Sequence, residues 1–402
     1  MKKTINYLLL GIDGGATKVS AYRILIDDEG TFTLGTAHAE KSYAEIPGYL
    51  SDFKPVDIQT QLAQKEQGRI QLTESEIQQG AVYVEATAVV IAELVRQTGI
   101  AKVLIGLGMP GLKTADKRGI EVVANGPRIL NYASMLEKRL KLENITPLSP
   151  VHQIGSDADY CGIGENYAKD GLFRKTDNAY YLGGGTGVAD ALKLKGNLVF
   201  FDQIKPWMAK SWEMKANDGR SLERFASAGG IQNLYAELSG NDISDLNQRK
   251  IYPLQIAAMA AKGDKAAAQT FNLVVKNLSL LLFERISTIY AGWQGLFSFV
   301  NPNRPALAEK HEYLGTLLER IIIGQRLGEL LDSEAGQRVV RQPLLRQLAE
   351  YISKSEVLDA KAKQHYAQLD YIIVTSKLRA APALGAGIDA YLAYQNKKQL
   401  HD

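Results

Sequence analysis

Five residues near the start of the chain combine groups that bind phosphate and a divalent cation. Asp13, Gly14, Gly15, Thr17 and Lys18 separate two apolar runs, a pattern that predicts a strand, a tight turn and a second strand. Paired glycines leave backbone N–H groups able to point together at an anion. A strand-end carboxylate can hold Mg²⁺, which we expect to occur through water, and a hydroxyl and an ammonium can bind phosphate. An ordinary hairpin turn, with Lys18 solvated, is the alternative.

A second turn of this kind follows later in the chain. The predicted strand 179–182 ends in Gly183-Gly184-Gly185-Thr186-Gly187, and 188–194 resumes as a strand. We interpret the two strand–turn–strand units as a weak internal duplication. Two such turns could hold one polyphosphate, because phosphoryl transfer depends mainly on positioning and on neutralising charge.

Asp157 is the candidate base for such a transfer. It follows a predicted strand, 150–154, within the run Gly155-Ser156-Asp157-Ala158-Asp159. A carboxylate within hydrogen-bond reach of a hydroxyl acceptor can take its proton. The alternative is that Asp157 caps the helix that follows, a position that aspartate favours.

The remaining elements place these residues in an α/β protein with mixed sheets. Strands are predicted at 31–39, 102–108, 320–323 and 369–374, and helices at 78–98, 266–293 and from 383 onward. Asn125-Gly126-Pro127 is predicted to open a helix that continues to about 142, so Asn125 is either a helix cap or a ligand-binding residue. Residues 40–76 are predicted to form a surface insertion.

Composition restricts the classes of function. The chain has 402 residues, 46% of them apolar, and a net charge of +3, so we expect neither nucleic acid nor a membrane as a partner. Its single cysteine, Cys161, excludes an intrachain disulfide and a multi-cysteine metal site. The five histidines show no metal-ligand spacing. These features are typical of a protein of the reducing cytosol.

In their order and spacing, these motifs resemble the ROK family (repressor, open reading frame, kinase) of sugar kinases in the actin-like ATPase superfamily. The likeness extends over about residues 6–394, with insertions near 40–76 and 290–318. The segments that carry it are Gly11–Lys18 and Gly183–Gly187 (the two phosphate turns), Ile321–Gly328 (the adenosine segment), Gly106–Gly111, Asn125–Pro127 and Ser156–Glu165.

The resemblance implies a two-lobed, ribonuclease H-like α/β fold with mixed sheets and an interdomain cleft. The small lobe would comprise 1–124 and 375–402, and the large lobe 125–374 would carry the second phosphate turn and a helical insertion. The resemblance also implies a cytoplasmic homodimer that uses ATP and Mg²⁺.

The resemblance also implies roles for individual residues. Asp157 would be the general base, and Asp13 the Mg²⁺ ligand. The nucleotide would be bound by Asp13, Gly14, Gly15, Thr17, Lys18, Gly184, Gly185, Thr186, Gly187, Gly324 and Gln325. The acceptor would be bound by Gly108, Asn125, Ser156, Asp157 and Glu213.

Departures from the family pattern concern the acceptor. The family's Gly-Glu-x-Gly-His segment corresponds here to 209–214, which lacks the histidine, and Ser221 stands where a zinc-binding cysteine is usual, so no zinc is expected. Glu213 could replace the missing glutamate, whereas Trp212 and Met214 could form an apolar wall. Ser156 replaces a sugar-binding asparagine. A site that loses such hydrogen-bonding groups no longer selects the same ligand.

The sequence therefore predicts an ATP-dependent kinase acting on a hydroxyl of a sugar or sugar-like polyol. One alternative is a catalytically degenerate ligand sensor or regulator that has no DNA-binding domain. Another is hydrolysis of ATP or of a polyphosphate, which would need no acceptor pocket. The carboxylate at Asp157 discriminates the kinase from the regulator, because a binding protein has no chemical need for a base there. The Gly106–Gly111 turn and the Asn125 segment argue against hydrolysis.

Overall fold

The computed structural model describes residues 6–400, which form two compact units. The described part of the first unit covers 6–171 and 380–400, and the second unit covers 172–379. The predicted lobe boundary after residue 124 differs from this division, which falls after Gly171. Residues 125–171 stay with the first unit because 146–147 and 154–155 extend its sheet.

The first unit is built on a mixed six-stranded sheet. Its strand order is β3-β2-β1-β4-β7, with β8 also pairing with β4. The three N-terminal strands are antiparallel, and β4 is parallel to β1, β7 and β8. The strands of this unit are β1 (Leu8–Gly14), β2 (Lys18–Ile26), β3 (Phe32–Ser42), β4 (Lys102–Gly108), β5 (Leu112–Lys113), β6 (Ile120–Val122), β7 (Thr146–Pro147) and β8 (Ile154–Gly155).

Helices cover both faces of this sheet. They are α1 (Ile58–Glu66), α2 (Glu74–Thr98), α3 (Tyr132–Leu142), α4 (Asp157–Tyr167) and the C-terminal α16 (Ala381–Gln399). Leu10 and Ile12 point into the core with α2 and α3. On the opposite face α16 lies so close that a Cβ on Gly11 would collide with the carbonyl of Ala383. Glycine in β1 therefore permits close helix–sheet packing.

The helix predicted to open at Asn125 begins instead at Tyr132. Ile129 exchanges two backbone hydrogen bonds with Ile120, each of 2.9 Å, which keeps this stretch extended. Asn125 is therefore an exposed loop residue seven positions before the helix, so the helix-cap interpretation of Asn125 is wrong.

The second unit contains a mixed five-stranded sheet of order β11-β10-β9-β14-β15. Its strands are β9 (Ala179–Gly184), β10 (Val188–Leu194), β11 (Asn197–Val199), β14 (Arg320–Gly324) and β15 (Ile373–Thr375), and a separate two-stranded sheet joins β12 (Met214–Lys215) to β13 (Ser298–Phe299). The strand predicted over 369–374 is a short helix followed by β15, because Tyr371 and Ile372 donate backbone hydrogen bonds to Gln368.

Helices make up most of the rest of the second unit. They are α5 (Phe201–Ile204), α6 (Glu223–Ala226), α7 (Ala228–Ser239), α8 (Ile243–Gln248), α9 (Pro253–Ala261), α10 (Lys265–Ala291), α11 (Gln325–Asp332), α12 (Glu334–Gly336), α13 (Gln342–Lys354), α14 (Ala360–Tyr366) and α15 (Leu369–Ile372). Among the described residues, α10 alone is long and apolar enough to cross a membrane, but 61% of its apolar window is buried inside the protein. It is the core helix of this unit.

Candidate active site

Three parallel strands of the first unit end side by side at the candidate site. Asp13 on β1 pairs with Gly108 on β4, and Gly108 pairs with Gly155 on β8. Ligands of α/β sheets commonly bind outside the carboxyl ends of the strands. A Cβ on Gly108 would lie 3.1 Å from the Tyr160 ring, so glycine there also serves packing.

Asp157 is the first residue of α4, directly after this strand-end row. Ser156 is the N-cap of the helix, and its Oγ accepts a hydrogen bond from the Asp159 N–H at 3.1 Å. The alternative role predicted for Asp157, capping the helix, is therefore taken by Ser156. The Asp157 side chain is on the surface, and its Oδ1 accepts from the Ala158 N–H at 3.0 Å.

Asp157 lies close enough to Asp13 to affect the ionisation of Asp13. Burial, and to a smaller extent the charge of Asp157, raise the pKa of Asp13 to about 7, against a small opposing effect of Lys18. Two carboxylates that repel each other favour a divalent cation. No group of three or more His, Cys, Asp or Glu side chains within 6–400 is placed to hold a metal ion. A pair nevertheless fits Mg²⁺, which commonly takes one or two carboxylates and completes its shell with phosphate and water.

The first glycine turn is closed by a hydrogen bond of 2.9 Å from the Gly15 N–H to the Lys18 carbonyl. Glycine at position 14 is required by packing as well, because a Cβ there would collide with Sδ of Met109. Thr17 is exposed, and the Lys18 ammonium makes an exposed ion pair of 2.7 Å with Glu40. The alternative role for Lys18, a solvated strand residue, thus gains support, and its role as a phosphate ligand stays a prediction.

Two tyrosines that sequence reasoning missed lie beneath this turn. The Tyr83 hydroxyl donates to the Ala16 carbonyl at 2.8 Å, and the Tyr43 N–H donates to the Thr17 carbonyl at 3.0 Å. Their rings stack with centroids 3.6 Å apart. Helical periodicity marks Tyr83 as buried, but nothing in its local sequence indicates contact with a turn 67 residues away.

The second glycine turn belongs to the second unit and joins β9 to β10. The Gly185 N–H donates to the Gly187 carbonyl at 2.9 Å, and the Gly185 carbonyl accepts from the Ala228 N–H at the start of α7. Thr186 is exposed at the tip of the turn. The turn thus has the predicted strand–turn–strand form, and its phosphate-binding role stays a prediction.

Gly184 and Gly185 have different surroundings, so we expect them to tolerate substitution by alanine differently. A Cβ on Gly184 would lie 2.5 Å from the Ala226 carbonyl oxygen, which is backbone and cannot move freely. A Cβ on Gly185 would meet only the end of the Gln325 side chain. We expect Gly184→Ala to lower the free energy of unfolding by about 1–3 kcal/mol, and Gly185→Ala by less than about 1 kcal/mol, in urea denaturation. Equal losses would contradict this difference.

Two further side chains lie against the second turn. Gln325 follows Gly324 and has a φ of 57°, and its side chain approaches the sites of Gly183 and Gly185. Glu223 Oε1 accepts from the Val188 N–H at 3.0 Å and lies 2.6 Å from where a Cβ on Gly187 would be. Glu223 lies two residues after Ser221, and no pattern in the sequence predicts a carboxylate at this turn.

Glu213 is held by its own neighbourhood in the second unit. It ends a short 3₁₀ helix, Ser211–Glu213, where its Oε2 accepts from the Lys210 N–H at 2.7 Å and its Oε1 pairs with Arg304 at 2.5 Å. Both carboxylate oxygens therefore have protein partners. Its predicted contact with the acceptor stays a prediction and would have to compete with Arg304.

The neighbours of Glu213 differ from each other in exposure. Trp212 is 47% exposed, whereas Met214 is completely buried in the core. Ser211 fixes the segment to the core of the unit, since its N–H and Oγ both donate to the buried Asp190, at 2.8 and 2.6 Å. An apolar wall made by both Trp212 and Met214 is therefore wrong, because only Trp212 reaches the surface.

Comparisons with known proteins identify the fold. No family model matches the sequence, and no curated protein sequence matches it. Among solved structures, a ROK hexokinase from Thermus thermophilus is 15% identical with a TM-score of 0.56, covering 96% of this chain and 99% of its own. A ROK family glucokinase from Streptomyces griseus, in complex with glucose and AMPPNP, is 15% identical with the same coverage and a TM-score of 0.55.

A ROK family transcriptional regulator, described as a homologue of the E. coli MLC protein, is also similar. It is 15% identical with a TM-score of 0.52, over 97% of this chain and 79% of its own. The chain therefore has the α/β fold that sugar kinases and a regulator of the ROK group share, which confirms the predicted fold class and the resemblance at the level of the fold. At this identity the comparison shows fold alone, so function has to be argued from the site.

Proposed function

We propose that this protein is an ATP-dependent kinase that phosphorylates a hydroxyl of a sugar or sugar-like polyol. The observation that carries the proposal is the neighbouring pair Asp13, at the end of β1, and Asp157, at the start of α4 just after β8, in a fold shared with sugar kinases. Asp157 is not needed to cap α4, because Ser156 has that task. We further propose a cytoplasmic homodimer, as the resemblance implies.

Asp157 would act as the general base. Its exposed carboxylate would accept the proton of the acceptor hydroxyl while the acceptor oxygen bonds to the γ-phosphorus. The bond from that phosphorus to the bridging oxygen would break, which leaves ADP. Ser156, Gly108 and Asn125, in the same unit, would orient the acceptor.

The glycine turns would bind the nucleotide phosphates, because glycine leaves the backbone open to close approach. The residues concerned are Gly14 and Gly15 in the first unit and Gly184–Gly187 in the second, with Gly324 and Gln325 nearer the adenosine. The Gly15 and Gly185 N–H groups donate within their own turns, so they would have to turn toward a phosphate when it binds. Asp13 would hold Mg²⁺ through water, which leaves the role of base to Asp157. That ion would supply positive charge to balance the phosphate oxygens.

A regulator that binds ligand without catalysis is the second candidate. The Gln325 side chain favours it, because that side chain lies against Gly183 and Gly185, on the turn that a phosphate would have to approach. The contacts of the Glu213 carboxylate with Arg304 and with the Lys210 N–H also favour the regulator, since they leave fewer hydrogen-bonding groups for a sugar. The neighbouring carboxylates of Asp13 and Asp157 support the kinase instead.

The test is ADP release from Mg·ATP in the presence of hexoses, amino sugars, polyols and cyclitols, each compared with ATP alone. Acceptor-dependent release would support the kinase and name its acceptor class. Release without an acceptor would support hydrolysis. Nucleotide binding by calorimetry without release on any acceptor would favour the regulator.

A further inference from the structure

The segment predicted as a surface insertion, 40–76, holds the loop that carries Asn125. Residues 123–128, here called the acceptor loop, lie between β6 and α3. Ala124 and Asn125 are exposed, whereas Val123 and 126–128 are buried. The loop therefore exposes two residues to solvent between two buried flanks, Val123 on one side and 126–128 on the other.

Gln61 on α1 fixes the first flank. Its side chain is completely buried, and its Oε1 accepts from the Val123 N–H at 2.8 Å while its Nε2 donates to the Val123 carbonyl at 3.0 Å. The same Nε2 donates to the Val56 carbonyl at 2.7 Å. One amide thus satisfies both backbone groups of Val123, as a neighbouring strand would.

Arg128 fixes the second flank. Its buried guanidinium makes two hydrogen bonds of 2.7 Å to the Glu76 carboxylate. It also donates to Gln64 Oε1 at 2.5 Å and to the Gln71 carbonyl at 2.9 Å. Residues from α1, from the stretch after it and from α2 therefore meet at this one side chain.

Between the flanks, Gly126 lies against Tyr83. A Cβ on Gly126 would be 3.3 Å from the Tyr83 hydroxyl, which donates to the Ala16 carbonyl of the first glycine turn. The same side chain of α2 thus packs against the acceptor loop and donates a hydrogen bond to the first glycine turn.

The chemistry of these contacts favours positioning over stability. Burying an amide and an arginine has a desolvation penalty, and apolar groups of similar shape often stabilise a protein as well or better. Hydrogen bonds differ from apolar contacts in fixing distance and direction. They are therefore suited to hold Asn125, whose amide can both donate to and accept from the hydroxyl groups of a polyol.

We propose that Gln61 is a positioning residue, through which the 56–73 segment holds Asn125 in place to bind the acceptor. This inference rests on the proposed kinase function. It assigns to Gln61, a residue of the insertion, a part in binding the polyhydroxylated acceptor of that kinase.

The experiment compares steady-state kinetics of Gln61→Leu, Asn125→Ala and the double variant with wild type. Gln59→Leu, an exposed glutamine on the same helix, is the matched control. We expect Gln61→Leu to raise the acceptor KM about tenfold, which corresponds to roughly 1.4 kcal/mol. The ATP KM should change less than about twofold. In the Asn125→Ala background, Gln61→Leu should add little, because both act through the same contact.

Several results would overturn the inference. One is an unchanged acceptor KM in folded Gln61→Leu. Another is that Gln61→Leu raises the acceptor KM by the same factor in the Asn125→Ala background as in wild type. If Gln61→Leu fails to fold, Gln61→Glu, which keeps the acceptor for the Val123 N–H, replaces it in the same cycle. Absence of turnover by wild type on every acceptor would instead refute the proposed function, and the inference would fall with it.

Discussion

Asp157→Asn should lower kcat for acceptor phosphorylation by about 10²–10⁴-fold, the usual effect of removing a general base. Asparagine keeps the size of the side chain and can still accept from the Ala158 N–H, as Asp157 Oδ1 does at 3.0 Å. It cannot take a proton at neutral pH. Because Ser156 caps α4, we expect no large loss of helix stability.

The measurement is acceptor-dependent ADP release, with nucleotide affinity determined separately by calorimetry. Asp170→Asn, which removes an exposed carboxylate elsewhere in the first unit, is the control for charge and should leave turnover unchanged. The nucleotide Kd of Asp157→Asn should stay within a few fold of wild type. Turnover unaffected by the substitution would remove Asp157 from the role of base.

Local sequence patterns were sufficient for the strand–turn–strand units and for the central strand β4. β4 spans Lys102–Gly108, as predicted, and β1 and β2 pair directly across the first glycine turn. These features depend on residues adjacent in sequence, where apolar alternation and glycine decide the backbone. The order of the motifs then predicted the fold, because each motif belongs at a particular strand end.

Features that depend on distant contacts were not predictable. The start of α3 is delayed to Tyr132 because Ile129 pairs with Ile120, and this pairing has no signature near Asn125. The polar insertion looked like surface, but its Gln61 is completely buried because it pairs with a backbone 62 residues away. In both places tertiary hydrogen bonds override the local sequence pattern, because that pattern indicates only secondary-structure propensity and expected exposure.

The second large effect concerns Asp13. Asp13→Asn should abolish turnover with Mg·ATP while it stabilises the metal-free protein at alkaline pH. Burial and Asp157 raise the pKa of Asp13 from 3.8 to about 7. The protonated form is thus preferred in the folded state, and its contribution to stability is complete below pH 3.8 and is lost as the pH rises through about 7. Asparagine resembles the neutral carboxyl and avoids this loss.

Thermal or urea unfolding at pH 5 and pH 8, in EDTA, measures the effect. The free energy of unfolding of Asp13→Asn should exceed that of wild type at pH 8 by at most about 4 kcal/mol, and by much less at pH 5. With Mg²⁺ and nucleotide added, wild type should gain stability and the variant should gain less, because ligands that bind only the folded state stabilise it. A variant that is less stable than wild type in EDTA at pH 8 would show that the half-buried Asp13 carboxylate has a stabilising partner. That result would remove the electrostatic reason for a cation at Asp13.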